Sequence, residues 1–274
     1  MVWPDLEIKQ SMQISILGCG WLGLPLAEAL VKTHTVKGSV TTAAKLPVLQ
    51  EKGILPFQVD LNIPEADAIT GFLHGSEVLV IAIPPKIRAE GAISYPDKLK
   101  ALVPYIVQAG IKKVLFTSSI SVYGENEAVP EVDELTEPNP QTESGKQVLA
   151  AERVLQSCND FSTTIVRLGG LVGGERHPVY HLSGRDNIEN PHGPVNLVNR
   201  EECVAILSQI IARSVWGEVF TAVHPEPRTR REYYTALAKD LGLIAPKFVR
   251  GGSTVGKIVK GQEKLQRLLG VTFP

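Results

Sequence analysis

Three glycines stand at the spacing Gly18-Cys19-Gly20-Trp21-Leu22-Gly23, directly after the apolar run Ile14-Ser15-Ile16-Leu17 and just before an amphipathic segment. Between a strand and a helix, that spacing forms a turn able to hold the pyrophosphate of a dinucleotide. Gly18 permits the tight reversal, Gly20 lets main chain approach the phosphates, and Gly23 lets the helix pack close to the sheet. The helix N-terminus meanwhile offers free N–H donors. Pro25 fits this register, because its missing N–H falls in the first helical turn, where a donor would lack an intrahelical partner.

The second strand bears on which dinucleotide is held. An NAD-preferring site places Asp or Glu at its end to bond the ribose hydroxyls, but here the segment reads Val36-Lys37-Gly38-Ser39-Val40-Thr41-Thr42. Ser39 stands where the acid would be. Hydroxyls at Ser39, Thr41 and Thr42 and a cation at Lys45 accept a 2′-phosphate without repulsion, so NADP fits slightly better than NAD. The plainer reading of the same residues is a polar loop. Asp60, in Val59-Asp60-Leu61, is placed to bond the adenine amine, or is simply an acid exposed at a strand end. Leu61, the fourth-strand exit Ala82-Ile83-Pro84, and Leu168 complete the expected cofactor contacts.

Other polar groups carry less. His177 and His181 are four apart with His192 nearby, but Pro178 opposes a helical presentation and no carboxylate pairs with them, so no metal is expected. One of these histidines is an alternative acid/base, since imidazole titrates near neutrality. Arg228, Arg230 and Arg231 read as a solvated cationic face or as a contact for a substrate phosphate or carboxylate. There is no P-loop, no GxSxG elbow and no CxxC pair.

The elements that must position these groups follow from patterning. Short apolar runs at 14–17, 35–40, 56–60, 78–83, 114–118 and 163–168 alternate with helical stretches at 21–32, 43–52, 97–108 and 145–157. Pro104 is expected to kink or split the third helix. Strands apolar throughout and separated by helices imply a parallel sheet covered on both faces, a Rossmann-type doubly wound α/β fold. Residues 169–194 are dense in glycine, proline and histidine, which suits loops over a site. Regular signals resume at 201–214, 219–223, 231–241 and 262–269. The expected organisation is an N-terminal extension over 1–12, a dinucleotide-binding core over 13–170, and a small C-terminal substrate lobe over 171–274, interleaved with the last core elements.

Composition narrows the function classes. The 274 residues carry 28 basic and 29 acidic side chains, a net charge of −1, so there is no global electrostatic footprint for nucleic acid or an anionic membrane. A small-molecule substrate is the default partner, with the chain a monomer or homodimer. Cys19, Cys158 and Cys203 are widely spaced, which suits a reducing, cytoplasmic setting rather than a disulfide framework. The first dozen residues lack the basic start and apolar run of a signal peptide, and no apolar stretch reaches the roughly 18 residues that span a bilayer.

At Val114-Leu115-Phe116-Thr117-Ser118-Ser119-Ile120-Ser121-Val122-Tyr123-Gly124 the chain resembles the extended short-chain dehydrogenase/reductase family, whose fifth strand runs into a serine-rich turn and a VYG triplet. The resemblance spans nearly the whole chain. It includes the glycine turn, Asp60-Leu61, and the segment from Val166 to Gly173, which is similar to the family's wall of the nicotinamide pocket. GWLGLPLA, FTSSISVYG, NPQTESGK, RLGGLVGGERHP and VNLV resemble the atypical, YeeZ-like branch of these NAD-dependent epimerase/dehydratase proteins.

The resemblance implies chemistry built on a Ser or Thr, a Tyr whose phenol exchanges the substrate's hydroxyl proton, and a Lys that bonds the ribose and lowers the Tyr pKa. Ser119 matches the first. The family pattern Pro-x-Ser-x-Tyr-Gly-x-x-Lys-x-x-x-Glu, laid on Pro140 to Glu152, puts Ser144 at the Tyr and Val148 at the Lys. A second register pairs Thr142 with Lys146 and still lacks a Tyr. An aliphatic hydroxyl is a far weaker acid than a phenol and does not assume its role at neutral pH. Two substitutes are in reach. Tyr123, four residues beyond Ser119, supplies a phenol if it faces the pocket, though an aromatic packed beneath the loop is the plainer reading. Lys146, one turn from Val148, supplies a cation if it turns inward rather than staying solvated. The expectation is an NAD(P)-dependent oxidoreductase or epimerase/dehydratase acting on a small polar metabolite such as a nucleotide sugar. Its alternatives are a catalytically silent dinucleotide sensor or scaffold and, behind that, a structural protein that binds no dinucleotide.

Overall fold

The structure is a computed structural model and describes residues 11–85, 93–225 and 227–273. In chain order it runs β1 (Gln13–Leu17), α1 (Gly23–Leu30), β2 (Thr35–Val40), α2 (Leu46–Glu51), β3 (Leu55–Gln58), α3 (Ala66–Leu73), β4 (Val78–Ile81), α4 (Tyr95–Gln108) and β5 (Lys113–Ser119). There follow β6 (Glu131–Val132), α5 (Glu143–Gln156), β7 (Ser162–Leu168), β8 (Gly170–Val172), α6 (Pro178–Leu182) and β9 (Leu197–Asn199). The chain ends with α7 (Arg200–Arg213), β10 (Val219–Ala222), α8 (Arg230–Asp240), β11 (Ile258–Val259) and α9 (Gln262–Leu269).

Seven strands form one parallel sheet in the order β10-β7-β5-β4-β1-β2-β3. In register, Ile14 pairs with Val36 on one side and Val78 on the other. The order reverses between β1 and β4, and a crevice opens beyond the carboxyl ends of strands at such a switch point. Side chains alternate between the two faces, so both must be covered. On one face Ile14 and Ile16 pack with Leu26 and Leu30 of α1, Ile206 and Ile210 of α7, and Leu265 and Leu269 of α9. On the other, Leu17, Leu79 and Phe116 pack with Phe72 of α3, Leu99 and Ile106 of α4, and Leu155 of α5.

Helix α4 is not split: it runs unbroken through Pro104, which lies on its exposed side. The Lys100 carbonyl that Pro104 leaves without a helical donor belongs to an exposed residue, within reach of water. Helix α3 has no counterpart among the helices expected from sequence; its eight residues include Gly71 and offer only Ile69, Phe72 and Leu73 as an apolar face. Past β7 the chain leaves the sheet. The pairs β8–β9 and β6–β11, and a cluster of Val179, Tyr234 and Ala238 between α6 and α8, form a small lobe. Helices α7 and α9 and strand β10 pack with the main core. At the other end Met12 receives a backbone hydrogen bond from Thr35, while the expectation for residues 1–10 lies outside the described residues.

Candidate functional site

The glycine turn sits at the head of β1. Gly18 has φ +99°, and a Cβ there would meet Ile83 Cγ2 at 2.6 Å. A Cβ on Gly23 would stand 2.2 Å from the Gly18 carbonyl oxygen, so the first turn of α1 presses directly on the strand exit. A Cβ on Gly20 would meet nothing within 4 Å, so that side of the turn faces open space. The turn is pinned to β2: Gly18 N donates to Ser39 Oγ at 3.0 Å and Cys19 N to the Ser39 carbonyl at 2.7 Å. Ser39 is buried, its hydroxyl engaged by the turn. Burial also pushes the Cys19 thiol up to about 12, which keeps it neutral.

A cleft of about 610 Å³ opens in front of this turn, within the range of small-molecule and cofactor sites. Gly18, Cys19, Gly20, Trp21 and Leu22 line its floor, while Gly23 stays behind the turn as a packing residue. One end is bounded by Ser39, Thr41, Lys45, Asp60 and Leu61. Asp60 Oδ1 accepts from Asn62 N at 2.9 Å and from Asn62 Nδ2 at 2.6 Å. The fourth-strand exit Ala82, Ile83 and Pro84, then Ser119, Ser144 and Leu168, line the remainder. Parallel strands deliver these residues together because the ends of β1 to β5 and β7 all face the crevice.

Two close approaches bring Ser119 and Ser144 into one cleft. Ser119 Oγ accepts from Ser121 N at 3.1 Å, capping a short 3-10 turn. A Cβ on Gly145 would lie 2.2 Å from the Ser121 carbonyl oxygen, so only glycine lets the first turn of α5 seat against it. Thr142 caps α5 by accepting from Gly145 N at 3.0 Å. Ser144, Val148 and Glu152 are one turn apart on a single face; the first two line the cleft and Glu152 is fully buried beyond them. Lys146 points the other way, into a shallow groove with Pro138, Pro140 and Arg153.

Tyr123 is buried and absent from the cleft lining. Its phenol donates to the Asp133 carbonyl at 2.6 Å and accepts from Arg167 Nη1 at 2.7 Å. Burial raises its pKa, against the lowering effect of the Arg167 guanidinium. The 3-10 turn over 120–122 redirects the chain so that Tyr123 packs beneath the loop.

Sequence reasoning missed several lining residues. Tyr95 and Lys98 reach the cleft from α4, and Arg176 from the loop after β8. Arg176 stacks over the Trp21 indole at 4.8 Å, and Arg200 approaches the same ring at 5.0 Å. Lys98 had a signal, a lysine within the apolar stripe Tyr95, Leu99, Leu102, Ile106. Arg176 had none, because tertiary folding alone brings it to Trp21.

Of the other polar groups, His177 caps α6 by accepting from Val179 N at 3.0 Å and lies outside the cleft lining. Arg231 donates to the Val249 carbonyl at 2.6 Å, Arg230 stands over the Tyr234 ring at 6.0 Å, and Arg228 lines a separate 160 Å³ pocket with Tyr233. Among the described residues no group of three or more His, Cys, Asp or Glu is placed to hold a metal, and no helix is long and apolar enough to cross a membrane.

A family described as NAD(P)H-binding matches residues 18–209. Protein YeeZ of Escherichia coli (strain K12) is 31% identical over 254 residues, 91% of each chain. Among solved structures, a candidate NAD-dependent epimerase/dehydratase from Methylobacillus flagellatus is 25% identical with a TM-score of 0.79, covering 96% of this chain and 93% of that one. UDP-glucuronic acid 4-epimerase from Bacillus cereus, in complex with NAD, shares the fold at 19% identity and a TM-score of 0.76, covering 96% and 92%.

Proposed function

The chain belongs to the NAD(P)H-binding family and is a relative of YeeZ, and we propose that it is an oxidoreductase or epimerase/dehydratase of short-chain dehydrogenase/reductase type acting on a small polar metabolite such as a nucleotide sugar. It would work as a monomer or homodimer. The observation that carries this reading is a single cleft with an open glycine turn along its floor and two serine hydroxyls, Ser119 and Ser144, farther along its wall.

The residues divide the cleft by chemistry. Gly20, Trp21 and Leu22 present backbone at the N-terminus of α1, where a pyrophosphate is favoured. Asp60 and Thr41 suit the adenosine end. Lys45 offers a cation for a 2′-phosphate, and no carboxylate at position 39 opposes one, so NADP is the slightly better fit. A nicotinamide held there would supply hydride exchange with the substrate. Ser119 and Ser144 would orient a substrate hydroxyl or carbonyl against it, and Leu168 and Pro84 would wall that end with apolar surface. Arg176, at the rim with no carboxylate partner among the described residues, suits an anionic substrate group such as a diphosphate.

The test is calorimetry with NADH and NADPH. A panel of sugar nucleotides and aldehydes is then assayed by nicotinamide absorbance and by product analysis for isomerised sugars. Turnover that falls in both Ser119→Ala and Ser144→Ala is expected. Tight dinucleotide binding with no conversion of any panel member would make the chain a binding protein instead.

A further inference from the structure

Lys98 lies in the buried stripe of α4, between Tyr95 and Leu99. It is 6% exposed, lines the cleft, and finds no hydrogen-bond or ion-pair partner for its ammonium among the described residues. With its stem buried among apolar residues, the ammonium has the cleft as its outlet. A donor presented there without a protein partner is matched to a ligand atom that accepts hydrogen bonds.

Two contacts fix the end of the cleft that it serves. The Tyr95 phenol donates to the Ile83 carbonyl at 2.8 Å, docking the first turn of α4 at the exit of β4. Tyr95 N donates to Gln147 Oε1 at 3.2 Å, tying the same turn to α5. Gln147 is followed by Val148, the aliphatic residue that lines the cleft where the resembling family carries its ribose-binding lysine. Lys98, one turn beyond Tyr95, therefore enters the cleft from the helix packed against that position. The Tyr95 phenol is no rival acid, since burial raises its pKa far above the usual value and its proton is committed to Ile83.

We propose that Lys98 is a cofactor-binding residue that hydrogen-bonds the ribose hydroxyls of the nicotinamide half of the dinucleotide, supplying from α4 the cation that Val148 does not supply from α5. The inference rests on the reading of the cleft as a dinucleotide site.

The test uses the full chain and its Lys98→Met variant, titrated calorimetrically with NADH, NADPH and ADP, with thermal melts to confirm folding. Met keeps the apolar stem and removes the charge. The preferred reduced dinucleotide should bind about tenfold to a hundredfold more weakly to the variant, the worth of hydrogen bonds to a charged group, while ADP changes by less than about twofold. Unchanged dinucleotide binding would overturn the proposal, as would an equal loss for ADP, which would put Lys98 on the other half of the cofactor. If the unaltered chain bound none of the three, the dinucleotide reading itself would fall and this inference with it.

Discussion

Arg167 and Glu152 close a two-pronged ion pair beneath the serine-rich turn, with Nε to Oε1 at 3.0 Å and Nη2 to Oε2 at 2.7 Å. The two residues are 5% and 0% exposed. Ser118, which lines the cleft, donates to Glu152, and the remaining guanidinium nitrogen bonds the Tyr123 phenol. One network thus joins β5, α5 and β7, and its outermost hydroxyl belongs to the cleft.

Breaking that pair from one side should be severe. Arg167→Met leaves a buried carboxylate without a counter-charge, a change that costs about 3–5 kcal/mol, whereas Arg167→Met with Glu152→Leu removes both charges and costs less. Urea denaturation of the two variants measures the difference. If the double variant were the less stable of the two, the pair would not be the unit described.

The glycine turn separates packing from binding. Gly23→Ala drives a methyl into the Gly18 carbonyl, 2.2 Å away, where main chain meets main chain and neither can yield; the cost is about 2 kcal/mol or more. Gly20→Ala meets nothing within 4 Å and should change stability by less than about 1 kcal/mol. The added methyl faces the cleft, so dinucleotide affinity should fall about tenfold or more. Melting curves and calorimetry on both variants check this, and a Gly20→Ala protein that binds normally would move the pyrophosphate elsewhere.

These contrasts show how much the sequence alone carries. The strand β2 and the helix α9 fall on the residues expected, and the glycine spacing locates the turn between β1 and α1. Side-chain direction was legible only where a regular element sets it. Ser144 and Val148 share a helix face by spacing, but whether that face or the one carrying Lys146 meets the cleft depends on Gly145 seating against Ser121. Tyr123 lies beyond a 3-10 turn that no local pattern announces. Arg176 and Glu152 are placed by partners distant in sequence, Trp21 and Arg167.

Cofactor preference should follow Lys45. It lines the cleft beside Thr41, at the strand end where Ser39 replaces an acid. Lys45→Ala should weaken NADPH binding by about tenfold, the loss of one charge-assisted contact to phosphate, and leave NADH within about twofold. Parallel titrations decide it; equal losses for the two dinucleotides would remove Lys45 from 2′-phosphate recognition.

Acid should loosen the C-terminal lobe through His177. Its Nδ1 accepts from Val179 N at 3.0 Å and its Nε2 lies 3.0 Å from the Tyr233 hydroxyl, so capping α6 requires the neutral ring. Burial lowers its pKa below the ordinary value. As pH falls through about 6.5, the unfolded chain takes up this proton before the folded one, and the stabilisation present above that pH is lost until the folded pKa is reached. His34 is shifted the same way, by burial against the opposing charge of Glu77, so it contributes to the same slope in any His177 variant. His177→Asn keeps a side chain able to cap the helix but does not titrate. Its melting temperature should therefore fall less than that of the unaltered chain between about pH 7.5 and pH 5.5. Identical pH dependence in the two proteins would show that the imidazole proton is not the one that acid adds.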